Sequence, residues 1–224
     1  MDEAERLMFE GWARLPRFKA KIDQANEIIR EALEIAPAYV ACSWGKDSVV
    51  LAHLCQQIQP DILIIHDGCE LEYSQDSYRK VERDYCDRFQ PNYRRLETDG
   101  SFKHWIEASK THPMGVIGLR AQESSRRRIV LRKYGIIYQY TSRDRQDMMR
   151  ACPLAWWSWQ DVWAYTVAHN LPYLASYDNP ASGSRAHSRT SVIHNPDDIH
   201  THNLGPSRGA LEIAKYYQFN HATN

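Results

Sequence analysis

The stretch Ser43-Trp44-Gly45-Lys46-Asp47-Ser48 follows the apolar run Ala38-Tyr39-Val40-Ala41-Cys42 and precedes a helical segment at residues 49–58. An apolar run of that length after Pro37 suits a buried strand. A helix amino terminus exposes unpaired N–H groups and the positive end of its dipole, so a strand-to-helix turn is a ready anion site. Gly45 permits close backbone approach, Ser43 and Ser48 add hydroxyl donors, and Lys46 adds a cation. Asp47 is out of place beside a phosphate unless it holds a metal ion or orients a donor. A Mg²⁺ ion shared between Asp47 and phosphate oxygens would resolve that conflict.

Outward from this loop, strands and helices alternate. Before it, residues 18–35 carry apolar side chains at helical spacing, and Pro16 separates them from a shorter helix over 3–13. After it, strands are expected at 61–66, 93–96, 114–119 and 136–141, with helices at 74–89, 102–109 and 121–133 between them. Ser158-Trp159-Gln160-Asp161 resembles a capping box opening a helix over 162–169. The pattern predicts an α/β fold, a doubly wound, mostly parallel five-stranded sheet with helices on both faces. Ligands of such sheets bind beyond the carboxyl ends of the strands. The expected organisation is amino-terminal helices over 1–36, a nucleotide-binding domain over 37–172, and a loop-rich extension over 173–224 completing the same domain. Within that extension, 176–206 reads as a long loop carrying His187, His194, His200 and His202, and 210–217 as a final helix.

Composition bounds the function. The chain has 224 residues, 43% apolar and 25% charged, which excludes collagen-like and wholly disordered classes. Lys+Arg 28 against Asp+Glu 28 leaves no net charge, so contact with nucleic acid must come from a local basic patch or a partner. Five cysteines, Cys42, Cys55, Cys69, Cys86 and Cys152, form no C-x-x-C pair, which argues for reduced thiols and against a metal cage. An acidic amino terminus and no long apolar stretch make a cytoplasmic protein the expectation, with no membrane contact.

The loop is not a Walker A loop. Val40 stands where the first Gly would be, and Asp47 follows the lysine in place of Ser or Thr. No G-x-G-x-x-G follows the strand either. Instead the loop resembles the S-G-G-x-D-S pyrophosphate loop (PP-loop) of the N-type ATP pyrophosphatases, the adenine nucleotide alpha hydrolase-like (HUP) group. A second stretch, Gly118-Leu119-Arg120-Ala121-Gln122-Glu123-Ser124-Ser125-Arg126-Arg127, is similar to the G-x-R-x-x-E-S-x-x-R signature of the phosphoadenosine phosphosulfate (PAPS) reductase family. Cys152-Pro153-Leu154 with Trp157, Asp161-Val162-Trp163 and Tyr165 resembles a further segment of that family.

The resemblance implies a nucleotide site made of Ser43, Trp44, Gly45, Lys46, Asp47 and Ser48, of Asp67 and Gly68 beside the adenosine, and of Gly118, Arg120, Glu123 and Arg127. Lys46, Asp47 and Arg120 would act in catalysis, with Asp47 on Mg²⁺. Arg120 and Arg127 would grip anionic groups through their guanidinium forks, whereas Arg126 and Arg128 point elsewhere, since helical neighbours do not share a face. Trp156, Trp157, Trp159 and Trp163 read as core packing.

Two positions depart from the family pattern. Trp44 replaces the second Gly of the loop, which a side chain tolerates if its φ stays negative; the indole would cover the ligand or contact a neighbouring strand. PAPS reductases also use a thiol near the carboxy terminus, and here no Cys follows Cys152. No iron–sulfur cluster is expected, because the cysteine pairs that hold it in related adenylylsulfate reductases are absent. The resulting expectation is a PP-loop enzyme that binds ATP with Mg²⁺ and cleaves it between the α and β phosphates, yielding AMP and pyrophosphate or an adenylylated acceptor. Relatives with this domain occur in DNA phosphorothioation systems and in phages, some with ParB-like partners, which suggests nucleic-acid modification or defence. A sulfonucleotide (PAPS) reductase drawing its thiol from Cys152 or another protein, and a silent nucleotide-sensing module, are the alternatives. Homodimer and monomer both stay open.

Overall fold

Strand β1 (Ala38–Ala41) occupies the middle of a sheet with the order β3-β2-β1-β4-β6-β5. This architecture is read from a computed structural model that describes residues 1–69, 76–98, 108–140 and 148–178. On one side β1 pairs in parallel with β2 (Leu63–Cys69), which pairs in parallel with β3 (Tyr93–Thr98). On its other side it pairs in parallel with β4 (Met114–Ile117), which pairs in parallel with β6 (Met148–Ala151). The edge strand β5 (Ile137–Tyr140) runs antiparallel to β6. The chain therefore leaves β1 toward β2 and returns to β4 on the opposite side, which makes the end of β1 a topological switch point.

The expected α/β class and mostly parallel sheet are thus present, but with six strands in place of five. The additional strand, β6, is four residues long and contains Arg150, so it has no continuous apolar run to announce it. The basic segment expected as one helix over 121–133 is broken: a 3-10 turn (Ala121–Glu123) is followed by α5 (Ser125–Tyr134), because Ser124 is extended at φ −165° and caps α5 by accepting from the Arg127 N–H. Of the helix expected at 102–109, only the turn at 108–111 falls in the described residues. The helix expected at 210–217, the loop histidines His187, His194, His200 and His202, and most of the loop at 176–206 lie outside them. The start of that loop, through Asp178, belongs to a 3-10 turn, Ala175–Asp178.

Alternating strand residues feed separate cores. Ala38, Val40 and Ile64 join a large cluster with Phe9 of α1 (Glu3–Ala13), Ile29 of α2 (Pro16–Ile35), Leu51 of α3 (Lys46–Ile58), Tyr85 of α4 (Asp76–Phe89) and Trp163 of α6 (Trp159–Ala168). Tyr39, Ile65, Leu96 and Ala108 form another cluster, as expected when neighbours on a strand face opposite ways. Pro16 opens α2 at its first turn, where the missing N–H costs nothing.

The capping box at Ser158 forms as the sequence suggests, and Asp161 does more than close it. Its Oδ1 accepts from Trp12 Nε1 at 3.0 Å, and its Oδ2 from Lys21 Nζ at 2.5 Å and Ser158 N at 2.6 Å. Burial alone would raise this carboxyl's pKa, but the Lys21 bond and the Ser158 and Trp12 donors outweigh it and lower it. Asp161 thereby ties α1, α2 and α6 together. Trp157 and Trp163 are buried, as expected, while Trp159 is half-buried against Phe9 and Trp156 is exposed.

Candidate functional site

Helix α3 begins at Lys46 with Gly45 as its N-cap, and no side chain caps its first turn. The amino-terminal N–H groups of Lys46, Asp47 and Ser48 therefore form the positive end of a thirteen-residue helix at the switch point. The preceding loop is fixed from within. Ser48 Oγ donates to the Gly45 carbonyl at 2.9 Å and accepts from the Ser43 N–H at 3.2 Å, with Ser43 Oγ at 3.3 Å. His66 on β2 binds the Cys42 carbonyl through Nδ1 at 2.8 Å, holding the end of β1 where the loop departs. Ser48 thus shapes the loop more than it reaches into the open space.

A cavity of about 270 Å³ opens above this turn. Ser43, Gly45, Lys46, Asp47 and Ser48 line one wall. Gly118, Glu123 and Arg127 line the other, together with Ile117 and Leu119. Two segments about seventy residues apart, 43–48 and 118–127, meet here because β1 and β4 are adjacent parallel strands whose carboxyl ends point the same way. Gly118 allows that meeting. A Cβ there would stand 3.3 Å from the Asp47 carbonyl carbon and oxygen and 3.4 Å from the Ser48 nitrogen, against main chain rather than the free end of a side chain.

Arg120 does not line the cavity. Its side chain is 2% exposed and lies behind the wall, where Nε donates to Asp47 Oδ1 at 2.6 Å. Its terminal nitrogen reaches Gln122 Oε1 at 3.3 Å and the Trp157 carbonyl at 3.4 Å. The other Asp47 oxygen, Oδ2, is 3.5 Å from Lys46 Nζ. Burial works to raise the Asp47 pKa, but Lys46 and Arg120, with Arg127 further off, lower it overall, so the carboxylate is ionised. With each oxygen already facing a cation, Asp47 does not fit as a direct ligand of a divalent metal. It fits its other expected role, that of orienting a donor. Arg127 lines the cavity and bonds Glu123, whose Oε2 also accepts from the Arg120 N–H at 3.0 Å. Arg126 and Arg128 face solvent, as helical geometry requires.

Trp44 departs from expectation in its backbone. Its φ is +57°, not negative, so it occupies the left-handed region that favours glycine. The indole is fully buried and turned away from the cavity, with ring centroids 5.5 Å from Tyr85, 5.4 Å from Tyr93 and 6.2 Å from His66. Of the two roles expected for it, contact with neighbouring strands is the one observed. Asp67 and Gly68 lie near the end of β2, in register with Leu96 and Glu97; the Asp67 side chain is outside the described residues.

Sequence reasoning missed Tyr177, whose ring lies 5.0 Å from Lys46 Nζ and holds the ammonium by a cation–π contact. Nothing in the polar segment around it signals that role. It also missed why the Cys152–Trp157 segment accompanies the arginine signature. Ala121 N donates to the Ala155 carbonyl at 2.8 Å and Trp159 N to Gln122 Oε1 at 2.7 Å, so this segment seats the turn that carries Arg120.

Residues 37–180 match the family model described as the phosphoadenosine phosphosulfate reductase domain. The chain belongs to the PAPS reductase family. An adenosine 5'-phosphosulfate reductase of Geobacillus thermodenitrificans (strain NG80-2) is 27% identical over 184 residues, which cover 71% of this chain and 75% of the relative. Among solved structures, FMN adenylyltransferase of Candida glabrata, in complex with FMN and the ATP analogue AMPCPP, superposes with a TM-score of 0.62 at 14% identity, covering 85% of this chain and 71% of that one. A PAPS reductase of Candida auris, in a phosphate complex, gives 0.54 at 13% identity, covering 80% and 92%. At such identities the likeness is one of fold alone.

The thiols bear on what a family member of this kind can do. Cys152 is fully buried, and burial pushes its thiol up to about 12 against smaller opposing effects of Arg150 and Tyr138. Burial raises Cys42 to about 12 and Cys86 to about 11, and raises Cys55 as well. None of these four is a thiolate near neutral pH, and only the thiolate is the nucleophile. Among the described residues, no helix is long and apolar enough to cross a membrane.

Proposed function

We propose that this protein binds ATP at the β1–α3 loop and cleaves it between the α and β phosphates. The single observation carrying this reading is the pairing of an uncapped α3 amino terminus with Lys46 and Arg127 around one cavity. Helix N–H groups and Lys46 would bind the β and γ phosphates and stabilise the charge that grows on departing pyrophosphate. Arg127 would hold the α-phosphate side. An oxygen of water or of an acceptor hydroxyl bonds to the α phosphorus and releases its proton. The bond from that phosphorus to the bridging oxygen breaks, and its electron pair leaves with pyrophosphate. Arg120 is a positioning residue in this scheme, acting through Asp47 on the first turn of α3. ATP enters as its magnesium complex, and no protein carboxylate is assigned to the ion.

The physiological setting suggested by the family resemblance is nucleic-acid modification or phage defence in the cytoplasm, with a ParB-like partner protein or a second copy of the chain. A second reading, sulfonucleotide reduction, is favoured by the adenosine 5'-phosphosulfate reductase named among its relatives. It requires a thiol from another protein or from a residue other than Cys42, Cys55, Cys86 and Cys152. One assay separates the readings. Incubation with ATP should release AMP, free or attached, in step with pyrophosphate. Incubation with adenylyl sulfate or PAPS and reduced thioredoxin should release no sulfite. Sulfite without pyrophosphate would replace the first reading with the second, and nucleotide binding without either product would indicate a sensor.

A further inference from the structure

Helix α5 (Ser125–Tyr134) carries five cations in ten residues and no carboxylate. At 100° per residue, Arg127 and Leu131 turn inward, the first to the cavity and the second to a small core. Arg126, Arg128, Arg132 and Lys133 fall on the opposite, solvent-facing arc. They surround Ile129, which is 63% exposed. At the end of the same helix Tyr134 is 52% exposed, stacked on Tyr138 at 5.9 Å with Lys133 Nζ 4.9 Å from its ring.

An ordinary solvated face looks different, and the protein contains one. Helix α4 (Asp76–Phe89) mixes four basic residues with four acidic ones, and Lys80 pairs with Asp84 one turn on. On α5, Arg128 and Arg132 stand one turn apart as like charges, an arrangement that destabilises an isolated helix. Among the described residues none of the four outward cations has an ion-pair partner. In a chain of zero net charge, this is a local concentration of positive potential.

We infer that the outward face of α5 is a docking surface for single-stranded RNA. Four exposed cations on a ten-residue helix offer charge to backbone phosphates, and Ile129 with Tyr134 offers apolar and aromatic surface to unstacked bases. Lys133 is exposed and can turn to a phosphate, leaving a face of Tyr134 to a base. A duplex hides its base faces and would use the cations alone. An acidic protein segment would not use the ring. Unpaired strands in a cell are mostly RNA, which decides between RNA and DNA. This surface is independent of whether ATP is cleaved.

Fluorescence anisotropy with a labelled ~20-nucleotide unstructured RNA tests this directly. Binding should weaken with salt along a log–log slope of about −2 to −3, as for three to four phosphate contacts on a single strand. Arg128→Glu/Arg132→Glu should weaken it at least ~10-fold and flatten that slope. The neutral pair Arg128→Gln/Arg132→Gln, less disturbing to the helix, should give an intermediate loss. Tyr134→Ala should weaken RNA binding several-fold without changing the salt slope. Unchanged melting temperature and ATP binding in each variant show that the fold and the cavity are intact. The inference is overturned if RNA fails to bind at ~50 mM salt, if the charge variants bind like the parent, or if DNA or duplex of the same sequence binds more tightly.

Discussion

Arg120 Nε donates to Asp47 Oδ1 at 2.6 Å, and that contact fastens the turn after β4 to the first turn of α3. Because Arg120 is 2% exposed and Asp47 only 16%, the pair is costly to break on one side. Asp47→Asn leaves a buried guanidinium without its counter-ion and should lose about 3–5 kcal/mol. Replacing both partners, as Asp47→Asn/Arg120→Met, should cost less than the sum of the single losses. Urea denaturation of the four proteins measures the coupling. Additive losses would mean the contact does not organise the loop.

Trp44 sets two effects against each other. Its left-handed backbone costs about 1 kcal/mol relative to glycine. Burying the indole among Tyr85, Tyr93 and His66 is worth more, since emptying such a site costs about 3–5 kcal/mol. Trp44→Gly restores the family's loop pattern yet should destabilise the protein by about 2–4 kcal/mol. Thermal melting reads this, and a rise in melting temperature would contradict it.

His53 should make stability fall in mild acid. Burial, and then the neighbouring His169 and Arg88, push its pKa down to about 4 from 6.5. The unfolded chain therefore binds a proton between those values that the folded chain refuses. Stability is full above pH 6.5, declines as pH drops toward 4, and changes no further on this account below it. The loss approaches about 3 kcal/mol. His53 is 5% exposed and its Nδ1 lies 2.9 Å from the Tyr165 hydroxyl. His53→Gln keeps a polar partner there and removes the titration, so its stability should be flatter across that window in a denaturation series. A parallel fall in parent and variant would assign the acid sensitivity elsewhere.

Gly118 tests the meeting of the two segments. Gly118→Ala brings a Cβ to 3.3 Å from Asp47 main chain, tighter than most such contacts, so the loop must shift by a few tenths of an ångström. The cavity wall moves while the core does not. ATP affinity, measured by calorimetry, should therefore fall about 10-fold, with a small change in melting temperature. Unaltered affinity would separate Gly118 from the site.

Much of this was readable in the chain. The run 38–42, the glycine and lysine after it, and the signature from Gly118 to Arg127 each carry local chemistry, and the strand-helix alternation tells which ends of which strands must meet. What escaped reading depends on distant packing. Strand β6 is held by pairing to β4 and β5 and by no apolar pattern of its own. The positive φ of Trp44 follows from rings on α4, β2 and β3 that form a socket for the indole. Arg120 reads as a phosphate ligand by residue type, and only the fold turns it toward Asp47. Tyr177 lies 131 residues from Lys46, and no spacing rule links them.

The most direct test is ³¹P spectroscopy of magnesium ATP incubated with the protein and with Lys46→Ala. The proposed chemistry predicts that the parent converts the β-phosphorus signal to that of pyrophosphate, with one AMP phosphorus formed for each, and that the variant leaves the nucleotide unchanged. Formation of ADP and inorganic phosphate, or equal conversion by both proteins, would contradict the assignment of the β1–α3 loop as the place where the α–β bond is broken.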